Sequence, residues 1–242
     1  MLDFTDRQIH ILKAVIEEYL ETADPVGSEI LDKKYHLGVS PATIRNEMVV
    51  LTKNGFLKQP HISAGRVPTP MALRLYVKQL MEEKDLSVAD EMAVKGKIWD
   101  YRTQANKLLQ EAVKVLAEKT NSLAVATTKE GDIYHAGHAL ILDDPEFFDI
   151  DVTKTVFSLV DNYEEIQKIL DRISGEGPLY ILLGEDLGSQ LLESCGFIFS
   201  NFNTKKYSGH IGVIGSCRLS YPIIIPSLRY IVNLIEEIGK SW

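Results

Sequence analysis

The chain has 242 residues, 45% apolar and 25% charged, enough for one large domain or two small ones with a proper core. That composition excludes collagen, wholesale disorder and a disulfide-built miniprotein, and no run approaches eighteen apolar residues, so no membrane span is expected. The opening MLDFTDRQIH carries neither a basic leader nor an apolar run. Two cysteines, Cys195 and Cys217, fit a reducing compartment, so a cytoplasmic protein is expected.

The net charge of −8 hides a sorted distribution. Residues 1–32 set only Arg7 and Lys13 against eight acids. Residues 33–78 carry Lys33, Lys34, Arg45, Lys53, Lys58, Arg66, Arg74 and Lys78 against Glu47 alone. A basic block in an acidic protein is an electrostatic footprint for a polyanion, and a solvated cationic face reads the same on charge alone. Motif context decides between them.

In chain order, Thr5 with Gln8 predicts a capped helix whose stripe is Ile9, Leu12, Val15, Ile16, Tyr19 and Leu20. Asp24-Pro25-Val26-Gly27 breaks it, and Ser28 caps a short second helix to about Tyr35. Ser40-Pro41 opens a third helix, which Asn54-Gly55 stops. Two extended pieces, Phe56–Gln59 and Arg66–Pro68, flank the loop from Pro60 to Gly65, and Thr69-Pro70 starts a fourth helix. Three helices and a hairpin are the order of a winged helix-turn-helix. From Ser87 to about Lys119 the spacing of Ile98, Tyr101, Ala105, Leu108, Ala112 and Val115 predicts one long helix, either a dimer seam or packed within its own domain. Beyond it, strands are predicted at Leu123–Thr127, Ile133–Leu142, Leu179–Leu183 and Ile211–Ile214, with helices at Val152–Ser174 and Ile223–Ile238.

On the third helix Ile44, Met48 and Leu51 form the buried face. Ala42, Asn46, Val49 and Lys53 lie opposite, flanked by Thr43 and Arg45. Such a helix enters the major groove with its N-terminal part. Asn46 and Thr43 then fall near base edges, while Arg45 reaches either guanine or a phosphate. The loop offers His61, Ser63 and Arg66 to phosphate or minor groove, with Gly65 relaxing the backbone; an ordinary hairpin is the alternative. Lys33, Lys34, Ser40, Lys53 and Lys58 complete the candidate DNA-binding set.

Arg45-Asn46-Glu47-Met48 and the run from Gly55-Phe56-Leu57-Lys58-Gln59-Pro60-His61 through Ser63-Ala64-Gly65-Arg66-Val67-Pro68-Thr69 resemble the signature of the HrcA-type heat-inducible transcription repressors. Pro25-Val26-Gly27-Ser28 and Arg74-Leu75-Tyr76-Val77 belong to the same pattern. A weaker echo returns at Leu183-Gly184-Glu185 and from Gly209 to Arg218 and Tyr221. The chain departs from the pattern at Thr52, Ile62, Ala72-Leu73 and Ser216-Cys217. The resemblance implies a repressor of chaperone operons that binds an inverted-repeat, CIRCE-like operator in double-stranded DNA as a homodimer. It also implies a chaperonin interaction and a GAF-like C-terminal module. Only residues 129–178 are available for the dimerising insert of the family, so that insert is shortened or absent and the 87–119 helix is expected to take its place.

The expected fold is therefore α+β: a winged helix-turn-helix over residues 1–82, a long connecting and dimerising helix over 83–120, and a GAF-like α/β module over 121–242. No catalytic constellation is present, and neither a metal nor a cofactor is expected. His135 and His138 would face opposite sides of a strand with no third ligand nearby. Gly212-Val213-Ile214-Gly215 lacks the rest of a phosphate cradle. The acids Asp143, Asp144, Glu146, Asp149 and Asp151 have no metal-loop spacing and are read as a solvated loop. The alternative function is a regulator answering to a small molecule held in the C-terminal module.

Overall fold

A computed structural model describes residues 4–82, 84–172 and 177–242. The chain divides into two units, Met1–Glu82 and Glu83–Trp242.

In the first unit, α1 (Asp6–Thr22) starts on the expected capping box, and Ala23 closes it in the left-handed conformation. α2 (Ser28–Tyr35) and α3 (Pro41–Lys53) follow, the latter capped by the Ser40 hydroxyl with Pro41 in the first turn. Gly55, at φ +80°, turns the chain into β1 (Leu57–Lys58), which pairs antiparallel with β2 (Val67–Pro68). Thr69 caps α4 (Pro70–Leu75), and a wide helical turn at Tyr76–Leu80 ends the unit. The core gathers Ile11, Leu12, Val15 and Ile16 with Leu31, Ile44, Met48, Leu51, Phe56 and Leu73. Each such side chain contributes roughly 1.5–3 kcal/mol on burial.

The second unit opens with α5 (Val88–Trp99) and α6 (Ala105–Thr120), which replace the single helix predicted over 87–119. The break at residues 100–104 is a tightening of the last turn. Tyr101 and Arg102 donate to the carbonyls of Ile98 and Trp99 three residues back, and the Trp242 indole donates to the Arg102 carbonyl at 2.6 Å. α5 folds back against α6, tied by Lys119–Asp90 at 2.6 Å and Lys97–Glu118 at 2.7 Å. Leu108, Ala112 and Val115 of the predicted seam are buried within their own unit.

A five-stranded antiparallel sheet follows, of β3 (Leu123–Thr128), β4 (Ile133–Ala136), β5 (Tyr180–Leu183), β6 (Cys195–Asn203) and β7 (Ser208–Ser216). Its order is β4-β3-β7-β6-β5. One face packs on α6 and α9 (Tyr221–Gly239). The other presents Leu123, Val125, Phe197, Phe199 and Ile214 to Val156 and Val160 of α7 (Ile150–Val160) and Ile166 and Ile169 of α8 (Tyr163–Leu170). Gly209 and Gly212 lie where a Cβ would run into the carbonyls of Thr127 and Ile198, so the glycine-rich stretch serves close strand packing.

Three further expectations are corrected. The strand predicted to reach Leu142 stops at Ala136, where Gly137 at φ +96° turns the chain. The helix predicted over 152–174 is two helices, because the Asn162 side chain caps α8 by accepting from the Glu164 and Glu165 amides; its predicted end at Ile173-Ser174 lies outside the described residues. β6 is absent from the predicted elements. Its first six residues are buried, so it carries no alternation of apolar and polar residues.

Candidate nucleic-acid interface

Arg45, Asn46, Val49 and Lys53 stand solvent-exposed along one side of α3, with Ala42 at its start. Ile44, Met48 and Leu51 are buried on the other side, as the helical spacing requires. Ser40 and Thr43 are engaged locally: the Ser40 hydroxyl accepts from the Thr43 amide at 3.3 Å, and the two hydroxyls are 3.1 Å apart. Glu47, the lone acid of the basic block, turns instead to α1. It accepts from Gln8 Nε2 at 3.0 Å and lies 3.7 Å from Arg7. The exposed side of α3 is thereby left with cationic, amide and apolar groups only.

The hairpin is fixed to the turn after α1. Val26 and Arg66 exchange two backbone hydrogen bonds of 2.9 Å, which makes the Pro25-Val26-Gly27-Ser28 segment a third short partner for the hairpin. Gly65 sits directly over the Val26 carbonyl, and a Cβ there would occupy the space of that carbonyl group. Gln59 holds the tip, its amide donating to the carbonyls of Ile62 and Ala64 at 2.8 and 2.9 Å. Lys58, His61 and Ser63 are exposed, and Ile62 at the tip is 100% exposed. Arg66 is half-buried, its Nε donating to the Thr52 hydroxyl at 3.1 Å. A groove of about 340 Å³ lies among Ser28, Arg45, Met48, Gln59, Ser63 and Arg66.

The two lysines of α2 differ. Lys33 is exposed, whereas Lys34 lies 2.7 Å from Glu18 and 2.6 Å from Glu21, which raise its pKa. Tyr35 adds a bond to Glu18 at 3.2 Å, and burial, then Glu18, pushes its phenol up to about 12. Lys34 thus closes an ion-pair cluster joining α1 to α2. The sequence shows the lysine but not the acid that α1 brings to it, and the same holds for the Val26 contact and the Gln8–Glu47 bond.

In the second unit, two readings of the sequence are corrected. The acidic run is not simply solvated: Glu146 receives two 2.8 Å bonds from Arg218, and Asp144 lies 3.7 Å from the same guanidinium. Tyr221, three residues beyond Arg218 and fully buried, donates to the Cys217 carbonyl at 2.8 Å. Nor do His135 and His138 face apart: their rings meet edge to face at 4.7 Å, and Asp161 lies 3.5 Å from His135. Burial, then His135, holds His138 below the ordinary imidazole pKa. Cys195 is buried, which pushes its thiol up to about 11. Val125, Ile166, Phe197, Phe199 and His210 line a small apolar cavity under α8 of about 20 Å³.

Comparison with known proteins places these features. The family profile for the HrcA protein C-terminal domain matches residues 37–225. The Heat-inducible transcription repressor HrcA of Symbiobacterium thermophilum is 26% identical, covering 98% of this chain and 99% of its own. That of Carboxydothermus hydrogenoformans is 25% identical, covering 96% and 97%. The first alignment runs over 340 positions against the 242 residues here, so this chain is the shorter form. A crystal structure titled as a hypothetical protein shares the fold with a TM-score of 0.79 at 19% identity, covering 99% of both chains. No helix among the described residues is long and apolar enough to cross a membrane. The chain belongs to the HrcA family, whose members are transcriptional repressors and not enzymes.

Proposed function

We propose that this repressor binds an inverted-repeat operator in double-stranded DNA as a homodimer, through a winged helix-turn-helix formed by residues 1–82. The observation that carries the reading is the exposed side of α3, where Arg45, Asn46, Val49 and Lys53 stand in the open while Glu47, the lone acid of residues 33–78, is turned to Gln8 of α1. Asn46 is suited to a bidentate contact with adenine, Val49 to a thymine methyl, and Arg45 to guanine or phosphate. Lys33, Lys53, Lys58, His61, Ser63 and Arg66 bracket that helix as backbone contacts, while Ser40 and Thr43 fix its first turn. Two-fold symmetry follows from the small number of bases one such helix can read. The names of the relatives, heat-inducible transcription repressors, support control of heat-inducible genes; the reading adds chaperone operons as the target, a GAF-like second unit and a chaperonin contact. A small-molecule effector is the second reading: the apolar cavity under α8 has room for about one water, and the larger spaces of this unit, about 200 Å³ each, are open grooves beside Glu91 and Arg229 and beside Lys97 and Glu118.

The test is binding of the purified protein to a labelled inverted repeat and to a scrambled duplex over a salt series. With about three to four phosphates neutralised per subunit, the log–log slope for a dimer is near −5 to −7. Asn46→Ala is expected to weaken operator binding by about 1–3 kcal/mol and to narrow the gap to the scrambled duplex. Equal, weak binding to both duplexes by the parent protein would sink the operator reading. Adding purified chaperonin to the same titration tests that contact.

The lysines provide a sharper comparison. Lys53→Ala is expected to flatten the salt slope by about 2, one phosphate in each subunit. Lys34→Ala is expected to leave the slope where it is, since its ammonium is committed to Glu18 and Glu21.

A further inference from the structure

We infer that His135, His138 and Asp161 form a binding site for a first-row divalent transition-metal ion of the zinc type. Among the described residues they are the one group of three such side chains whose ligand atoms converge, all lying within 4.8 Å of one another. Three atoms on a triangle of that edge are about 2.8 Å from its centre, and Zn–N and Zn–O bonds are about 2.0–2.2 Å. Each ligand therefore has to move inward by well under an ångström. The side chains have that freedom, since Asp161 is 68% and His135 34% exposed.

The backbone that assembles the group is set by packing. Gly137 ends β4 at φ +96°, and a Cβ there would strike the Ser122 carbonyl and the Ala117 side chain. The turn it makes brings His138 back onto the side of His135. The ring of His138 is seated edge-on against Phe157 of α7 at 4.9 Å, and Asp161 follows Phe157 by one helical turn at the end of the same helix. Two of the ligands thus come from the sheet edge and one from the helix layer. Two imidazoles and one carboxylate suit zinc, cobalt or nickel, whereas calcium and magnesium prefer oxygen-only shells. Water completes the tetrahedron, and the ion clips the end of β4 to the end of α7.

The experiment uses the full chain, stripped with chelator and titrated with Zn²⁺ by calorimetry, and separately with Co²⁺ followed in the visible spectrum. The expected result is one ion per chain, a rise in the melting temperature, and the intense visible bands of four-coordinate cobalt. Asp161→Asn, a change at an exposed side chain, and His138→Gln are each expected to weaken binding at least about tenfold. His10→Gln, Cys195→Ser and Cys217→Ser are expected to leave it unchanged. Absence of one-to-one binding in the parent chain would overturn the assignment, as would binding that survives Asp161→Asn or is lost in a cysteine variant.

Discussion

Gly65→Ala is expected to abolish operator binding and to loosen the first unit, although it adds only one methyl group. Its Cβ would take the place of the Val26 carbonyl, so either the hairpin lifts or the Pro25–Ser28 segment retreats. Both routes break the paired Val26–Arg66 hydrogen bonds. Overpacking costs about 1–3 kcal/mol and each of the two lost bonds about 0.5–1.5, so a loss of about 2–6 kcal/mol is expected. Hydrogen exchange read by mass spectrometry checks it, with faster exchange confined to residues 24–28 and 56–68. Ser63→Ala, two residues away and exposed, serves as the control for stability. Unchanged exchange and unchanged affinity in Gly65→Ala would show that the hairpin does not need its contact with the turn.

The second large effect lies in the other unit. Arg218 is 9% exposed and Glu146 18%, and their two-bond contact joins residues 72 positions apart. Removing one partner of a fully buried pair costs about 3–5 kcal/mol; this pair is half-buried and Asp144 stays 3.7 Å from the guanidinium, so a cost of about 1–3 kcal/mol is expected. Glu146→Ala is expected to show a loss of that size. Both tryptophans of the chain, Trp99 and Trp242, lie in this unit, so their fluorescence follows its unfolding directly.

The same pair sets a pH dependence. Burial, the largest single influence, raises the Glu146 pKa, but the Arg218 hydrogen bonds, a backbone hydrogen bond and the Arg218 charge together hold the carboxyl below its ordinary 4.5. The unfolded chain then binds the proton more readily than the folded one, so the stabilisation is complete above pH 4.5 and is lost as pH falls through the lower folded value. The stability gap between the parent and Glu146→Gln is therefore expected to be widest near neutrality and to close in acid. Asp144, pushed up by burial against the opposing pull of Arg218, acts in the other direction and softens the acid limb. A gap that stays constant from pH 7 to pH 3 would contradict the assignment.

Local chemistry made most of the first unit readable in advance. Thr5–Gln8, Ser40-Pro41 and Thr69-Pro70 are capping signals that act within three or four residues, and all three start helices where expected. The exposed side of α3 was equally accessible, since Ile44, Met48 and Leu51 fix its rotation. Partners brought from afar were not legible. Lys34 reads as a free cation until α1 supplies Glu18, and Glu146 reads as solvated until Arg218 arrives. The long helix failed for a similar reason: the apolar stripe runs on through residues 100–104, and only the fold-back onto α6 shows that the chain reverses there. His135 and His138 were misread because a strand was carried past Gly137, whose φ of +96° is a backbone fact invisible to apolar spacing.

The two nine-residue strands of the sheet, β6 and β7, are interior, and the strands that border it, β4 and β5, have four residues each. β4 ends at the Gly137 turn, and β5 begins just after Pro178, which has no amide hydrogen to give. A second molecule seeking to add a strand would find a ladder of only about four residues on either border. The architecture thus discourages cross-β growth, so this unit is expected to remain monodisperse in concentrated solution without a charged or capped rim.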